Sequence, residues 1–300
     1  MPFTPEQLAE RRRYLGASEA AAALGLSDFF TPLQLYQDKI GEGEPIEYTL
    51  PMMVGTALEP VCIELFERET GLIVVDRQLQ LVDALYPWRR ATFDGRASDG
   101  WLIEAKASGQ WQNWGREEDA VPAGYIYQAQ HQLACDVEAP GVYIPVILGQ
   151  RQFRVYKVLR DAELISLLTQ GELEFMDRVK NRRPPDPINM DDIKIRYPSD
   201  TGITVTATPE IEALAYQLAH TKKLRKEVQE AEEGECFKVA EFMKDAAILV
   251  DVRGEPLFTH KSHTERRLDT KALRKDHPSI ADLYSPEKTQ RRLLCKITVE

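Results

Sequence analysis

Apolar positions recur at helical spacing over the first seventy residues. Thr4-Pro5-Glu6-Gln7 is a capping-box start with proline at the first helical position, and it predicts a short helix running into Arg11-Arg12-Arg13. Ser18 is placed as the N-cap of a second helix through Ala20-Ala21-Ala22-Ala23, with Gly25 after its end, and Thr31-Pro32 opens a third through Lys39. Met53, Ala57, Leu58, Val61, Leu65 and Phe66 form a helical stripe over residues 52–70, closed by Gly71. The pattern then turns strand-like: residues 72–82, 90–97 and 101–106 read as a meander. A Gln-rich helix over 125–135 follows, then a hairpin of 142–148 and 153–159 about Gly149-Gln150, then an amphipathic helix over 161–180. Pro184-Pro185-Asp186-Pro187 breaks the chain. This order predicts an α+β fold with a mixed central sheet flanked by helices, occupying residues 1–187. Residues 188–300 read as a C-terminal extension: a long helix over 209–233 with Ile211, Leu214, Leu218, Leu224 and Val228 at helical spacing, and a hairpin of 246–252 and 257–262 about Arg253-Gly254.

Within the meander lies a concentrated chemical pattern. Residues two apart on a strand project from one face, so Glu104 and Lys106 point together while Ala105 points away. A hairpin turning at Asp99-Gly100 brings Asp94, on the neighbouring strand, toward Glu104, and two carboxylates are the hard oxygen donors that Mg²⁺ takes. Such an ion polarises a phosphoryl group and acidifies a water; a lysine beside it orients that water or offsets developing negative charge. The spacing therefore predicts phosphodiester hydrolysis by a metal-dependent nuclease. The bland alternative is a surface hairpin with an ordinary Glu/Lys pair. Glu59, beside Leu58 and Val61 on the striped helix, is a further acid that needs a partner or a metal.

Composition narrows the mode of action. With 300 residues and 43% hydrophobic content the chain has material for a substantial core. A net charge of −10 excludes a generally basic DNA-coating protein, so nucleic-acid contact must be local, through clusters such as Arg11-Arg12-Arg13 or Lys222-Lys223-Leu224-Arg225-Lys226. The four cysteines, Cys62, Cys135, Cys236 and Cys295, form no Cys-x-x-Cys pair, which removes a zinc ribbon; in their apolar surroundings they read as small core residues in a reducing compartment. Met1-Pro2-Phe3-Thr4-Pro5-Glu6-Gln7 has no apolar signal segment and no run approaches membrane-spanning length, so a cytoplasmic setting, bacterial or phage-infected, is expected.

Five motifs in order carry a resemblance: Arg11-Arg12-Arg13-Tyr14-Leu15-Gly16-Ala17-Ser18-Glu19, Gly55-Thr56-Ala57-Leu58-Glu59-Pro60, Asp94-Gly95, Glu104-Ala105-Lys106 and Tyr127-Gln128-Ala129-Gln130-His131-Gln132-Leu133. Together they resemble the YqaJ-like viral recombinase family, similar to phage lambda exonuclease within the PD-(D/E)xK superfamily. No proline adjoins Asp94, which Ala91-Thr92-Phe93 precedes, a departure from the superfamily's name.

The resemblance implies a restriction-endonuclease-like core and a Mg²⁺-dependent exonuclease (Mn²⁺ can substitute) that digests one strand of a duplex from its 5′ end, leaving a 3′ tail for a single-strand annealing protein. It implies Asp94, Glu104, Lys106, Glu59 and Gln128 as catalytic residues, and Asp94, Glu104, Ala105 and Glu59 around the metal, Glu59 acting through water. Tyr125 lies one turn before Gln128. Arg11 is implied to hold a 5′ phosphate at a helix N-terminus with Ser18 assisting, and Arg12 or Arg13 could do the same work. Double-stranded DNA ends are the expected partner, a homo-oligomer, a ring among the options, is the expected assembly, and no membrane is involved. Gln128 and Gln130 cannot share a helix face, so Gln130 faces elsewhere, and His131 reads as a packing or surface polar contact. A catalytically idle nuclease fold that binds DNA ends or a partner, and an endonuclease of the same superfamily, are the alternatives.

Overall fold

The computed structural model describes residues 4–43, 48–109, 114–149, 152–285, 287 and 291–298; Met1–Phe3 and Gln150 of the expected hairpin turn lie outside them. Two compact units divide the chain, residues 1–196 and 197–300. The segment from Ile188 to Arg196 is thus grouped with the first unit.

In that unit α1 (Pro5–Arg11) starts at the Thr4 capping box, with the Thr4 hydroxyl accepting from the Gln7 N–H and the Gln7 side chain accepting from the Thr4 N–H. Next come β1 (Leu15–Gly16), a 3₁₀ turn (Ala17–Glu19), α2 (Ala20–Ala23), α3 (Pro32–Ile40) and α4 (Leu50–Thr70). Ser18 is not the N-cap predicted from sequence. The turn begins at Gly16, whose N–H donates to the Glu19 carboxylate at 2.8 Å, and Ser18 lies exposed inside it. A carboxylate three residues on reaches this orphan amide, so the serine is not needed there.

Six short strands replace the three-stranded meander: β2 (Val74–Val75), β3 (Leu79–Val82), β4 (Arg89–Phe93), β5 (Gly95–Ala97), β6 (Leu102–Ile103) and β7 (Lys106–Ser108). The unit continues with α5 (Ala123–Cys135), β8 (Gly141–Leu148), β9 (Gln152–Leu159), α6 (Ala162–Lys180) and α7 (Met190–Arg196). One sheet runs β1-β4-β3; the other runs β2-β5-β6-β8-β7 with β9 paired to β8. In the larger sheet β8 is parallel to β6 and β7 and antiparallel to β9, so the sheet is mixed. The predicted strand 72–82 breaks at Asp76 and Gln78, both left-handed at φ +51° and +55°, and the predicted strand 90–97 breaks at Asp94, where the chain crosses from one sheet to the other. Gly95 permits that crossing: a Cβ there would lie 2.4 Å from the Val74 side chain.

Helices cover both faces of the larger sheet. Leu102, Val142, Ile144 and Val146 pack with Ala129 and Leu133 of α5, while the alternate residues Ile103 and Tyr143 pack with Ile63 and Phe66 of α4. Burial on both faces explains why β8 reads as a nearly unbroken apolar run. On α4, however, the buried positions are Cys62, Ile63 and Phe66, whereas Met53, Ala57 and Val61 of the expected stripe are exposed. Only the second half of this helix covers the sheet.

Polar pairs lock the layers together. Buried Arg89 donates from Nε to Glu172 at 2.9 Å, from Nη1 to Asp83 at 2.9 Å and from Nη2 to the Thr169 hydroxyl at 2.6 Å. His131 is internal: its Nδ1 lies 2.7 Å from the other Glu172 oxygen and its Nε2 3.1 Å from the Arg90 carbonyl. Asp192 accepts from the Thr31 hydroxyl at 2.6 Å and from the Ile188 N–H at 3.0 Å, which fastens α7 to the start of α3.

The second unit contains α8 (Pro209–Met243), the antiparallel hairpin of β10 (Ile248–Val250) and β11 (Pro256–Thr259), α9 (Thr270–Asp276) and α10 (Pro278–Leu283). α8 passes through Gly234 and beyond the expected end at Glu233, since one interior glycine costs only about 1 kcal/mol. Cys62 is buried and Cys135 half-buried, but Cys236 and Cys295 are exposed, against the expectation of four core cysteines. Both fall in the unit that buries little.

Replacing Glu172 with Ala strips Arg89 and His131 of a shared buried acceptor. The folded state should lose about 3–5 kcal/mol, read as a lower denaturant midpoint at unchanged slope.

Candidate active site

Sheet parity builds the site. Leu102 faces α5, so Glu104 and Lys106, at two-residue steps, project toward the same helix. Between β6 and β7 the ladder is interrupted: the Glu104 N–H still donates to the Tyr143 carbonyl at 3.0 Å, but the Ala105 N–H donates to Asp94 Oδ2 at 2.7 Å. Asp94 is held in turn by its own N–H, which donates to the Ile103 carbonyl at 3.0 Å. The hairpin at Asp99-Gly100 therefore delivers the Asp94 carboxylate to the residue beside Glu104, as the sequence predicted. Ala105 takes part through its main chain.

Glu104 is the hub. Its Oε1 accepts from Lys106 Nζ at 2.6 Å and from Gln128 Nε2 at 2.6 Å, and its Oε2 accepts from Gln132 Nε2 at 2.6 Å. Lys106 also donates to Gln128 Oε1 at 3.2 Å and lies 5.0 Å from the centroid of the Tyr125 ring. Gln130 faces away, donating to the Leu159 carbonyl and accepting from the Asp161 N–H. Gln128 and Gln132 are one helical turn apart and so reach the same carboxylate. Gln132 was not singled out in the sequence, although its i+4 spacing from Gln128 carries that signal.

Glu59 approaches from α4. Its Oε1 accepts from Gln78 Nε2 at 2.6 Å, and the Gln78 N–H reaches the Asp94 carbonyl at 3.4 Å, so the left-handed Gln78 links the two acids. Gln78 has no signal in the local pattern. Its role comes from the turn between two sheets.

The electrostatics describe a site short of positive charge. Burial, then the negative charges of Glu104 and Glu59, push the Asp94 carboxyl up to about 8, against the opposing effects of the Ala105 N–H and Lys106. Burial also raises the Glu59 carboxyl, with Glu104 adding to it. For Lys106 burial acts to lower the ammonium pKa, but the Glu104 carboxylate and its hydrogen bond outweigh it, and the net shift is upward. One lysine thus serves three acids. A divalent cation fits both the deficit and the donor set of carboxylate and main-chain oxygens. Among the described residues no three His, Cys, Asp or Glu side chains are gathered tightly enough to hold an ion as they stand; Glu104 and Glu59 accept from ammonium and amide donors.

Arg11, of the N-terminal arginines, belongs to a separate cluster of cations around Tyr14. Arg11 Nη2 lies 3.4 Å from Glu19 and Lys39 Nζ 2.6 Å from the same carboxylate, while the Arg90 guanidinium stacks 4.7 Å over the Tyr14 ring. The Nε atoms of Arg12 and Arg90 are buried without a hydrogen-bond partner. Arg13 is exposed. Ala17, beside Ser18, packs in the same core cluster as Ala129 and Leu133, so this turn abuts α5, the helix that carries Gln128. Lys39 and Arg90 were not foreseen; each arrives from a distant element.

The chain is 27% identical over 300 residues to the uncharacterized protein YqaJ of Bacillus subtilis (strain 168), covering 96% of this chain and 92% of that protein. Among solved structures, an alkaline exonuclease from Laribacter hongkongensis matches 60% of this chain and 94% of its own, at 22% identity and a TM-score of 0.49. A phage-related exonuclease from Haemophilus somnus 129PT matches 56% and 96%, at 14% identity and a TM-score of 0.45. Residues 6–137 match the model of the YqaJ-like viral recombinase domain, a span that holds Arg11, Glu59, Asp94, Glu104, Lys106 and Gln128.

Proposed function

We propose that this protein is a metal-dependent exonuclease of phage type, digesting duplex DNA from 5′ ends to leave 3′ single-stranded tails for homologous recombination. The observation that carries the reading is the meeting of Asp94, Glu104 and Lys106 at one interruption of the sheet, inside the span that matches the recombinase domain. Asp94, Glu104 and the Ala105 carbonyl would hold Mg²⁺ (Mn²⁺ can substitute), with Glu59 acting through water. When bound, the ion supplies Lewis-acid polarisation of the phosphoryl group and a more acidic water.

The chain's own groups do the rest. Lys106 keeps its charge and offers donors beside Glu104, where it orients the attacking water and offsets charge on the phosphoryl oxygens. Gln128 and Gln132 fix the rotamer of Glu104 from α5, so they are positioning residues. The cluster of Arg11, Lys39 and Arg90 next to Ser18 suits a terminal phosphate, and together with the family resemblance it supports the 5′ polarity. A single-strand annealing protein is the partner that would consume the tails, and a bacterial or phage-infected cytoplasm is the setting. Among the described residues no helix is long and apolar enough to cross a membrane.

Linear and covalently closed duplex, incubated with Mg²⁺, test the reading. Linear DNA should be degraded, closed circles should survive, and EDTA should stop the reaction; cut circles would make the protein an endonuclease, and no cutting at all would leave a DNA-end binder. Lys106→Ala should lower the rate by about 10²–10³-fold while duplex-end binding persists. Gln132→Ala should cost about 10–100-fold and raise the Mg²⁺ concentration needed for half-maximal rate, a shift that a purely structural role would not produce. Arg11→Ala should erase any preference for 5′-phosphorylated over 5′-hydroxyl ends, measured as the ratio of initial rates.

A further inference from the structure

The second unit leaves its apolar side chains uncovered. Among its described residues only Ala219, Met243 and Ala281 are buried hydrophobics, whereas Leu214, Val228 and Phe242 of α8 are exposed, Val228 at 67%. Burial along the middle of α8 falls on the face of Ala215, Ala219 and Lys223. The opposite face carries a seam in alternating steps of three and four residues, which is the spacing of a coiled coil. Starting at Ile211 it passes Leu214, Leu218 and Thr221, and it continues through Arg225, Val228 and Glu232. A groove of about 490 Å³ lined by Arg225, Val228, Gln229, Glu232, Glu233 and Cys236 runs along its centre.

Charge decides what can lie on this seam. Basic residues occupy four of the five positions 222–226 and acidic ones dominate 227–235, so the helix is polar about its midpoint. A parallel second copy would set Arg225 against Arg225 and Glu232 against Glu232. Turned antiparallel about Val228, the same seam becomes self-complementary. Leu214 then meets Phe242 of the second copy, Leu218 meets Val239, Thr221 meets Glu235, Arg225 meets Glu232, and Val228 meets itself. Among the described residues neither Arg225 nor Glu232 has an ion-pair partner within the chain, although the neighbouring Lys226 pairs with Glu230 at 3.5 Å. Each copy therefore supplies the charge that the other lacks.

We propose that α8 is a homodimerisation element in which two copies of this chain pair antiparallel across Val228, with reciprocal Arg225–Glu232 ion pairs at its centre. An isologous contact of this kind uses one patch twice and closes on itself. It does not depend on the nuclease reading, and it assigns Arg225 of the basic run to protein contact.

Disulfide trapping in the full-length chain tests it, with the exposed Cys236 and Cys295 changed to Ser. In one helix, positions 214 and 242 are about 42 Å apart, too far to bridge within a chain. A chain carrying both Leu214→Cys and Phe242→Cys should give a covalent dimer on mild oxidation, and either substitution alone should give none. Adding Arg225→Glu to the double-cysteine chain should lower the dimer yield roughly tenfold or more, and further adding Glu232→Arg should restore it. Crosslinking by a single-cysteine chain would mean parallel pairing and overturn the proposal. So would no crosslink in the double-cysteine chain, or a charge reversal that is not rescued by the second.

Discussion

One main-chain hydrogen bond, from the Ala105 N–H to the Asp94 carboxylate, sets the geometry on which the site depends. β6 and β7 both pair in parallel with β8 in a single register, so the sheet could have continued through residues 104 and 105 without a break. Instead one amide leaves the ladder for an acid on the neighbouring strand. That exchange brings Asp94 to Glu104 and leaves Lys106 on the same face as Glu104. Asp94 is buried beside Glu104 and Glu59; burial and their negative charges raise its carboxyl, and that excess of negative charge makes a cation favourable there.

Around that point, two periodicities interlock. Residues two apart on a strand and four apart on a helix both recur on one face, so Glu104 and Lys106 can meet Gln128 and Gln132 without any irregularity in α5. The helix is itself fixed from behind by His131, buried against Glu172 and through it against Arg89. Core packing and site geometry are therefore coupled: α5 carries Ala129 and Leu133 into the main cluster and the two glutamines into the site.

The sequence made the chemistry legible to the extent that it is local. Asp94, Glu104 and Lys106 lie within thirteen consecutive residues, and a hairpin with strand parity is enough to bring them together. Gln128 was legible through the family resemblance, and Gln132 would have followed from its spacing. What the chain pattern could not reveal depends on tertiary turns. Gln78 enters through a left-handed turn between two sheets; Lys39 and Arg90 come from an unrelated helix and strand; Ser18 lost its expected capping role to Glu19. The α4 stripe misled for a related reason, since periodicity cannot say how much of a helix overhangs the sheet. α8 ran past its expected end because a single glycine is a weak stop.

Calorimetric titration of Mn²⁺ into the full-length chain, repeated with Asp94→Asn and with Glu104→Gln, bears most directly on the claim that these acids form a cation site. Saturable binding in the unaltered chain that is lost in both substituted chains is the predicted result. Undiminished binding after either substitution, in chains whose folding is intact by circular dichroism, would contradict the account.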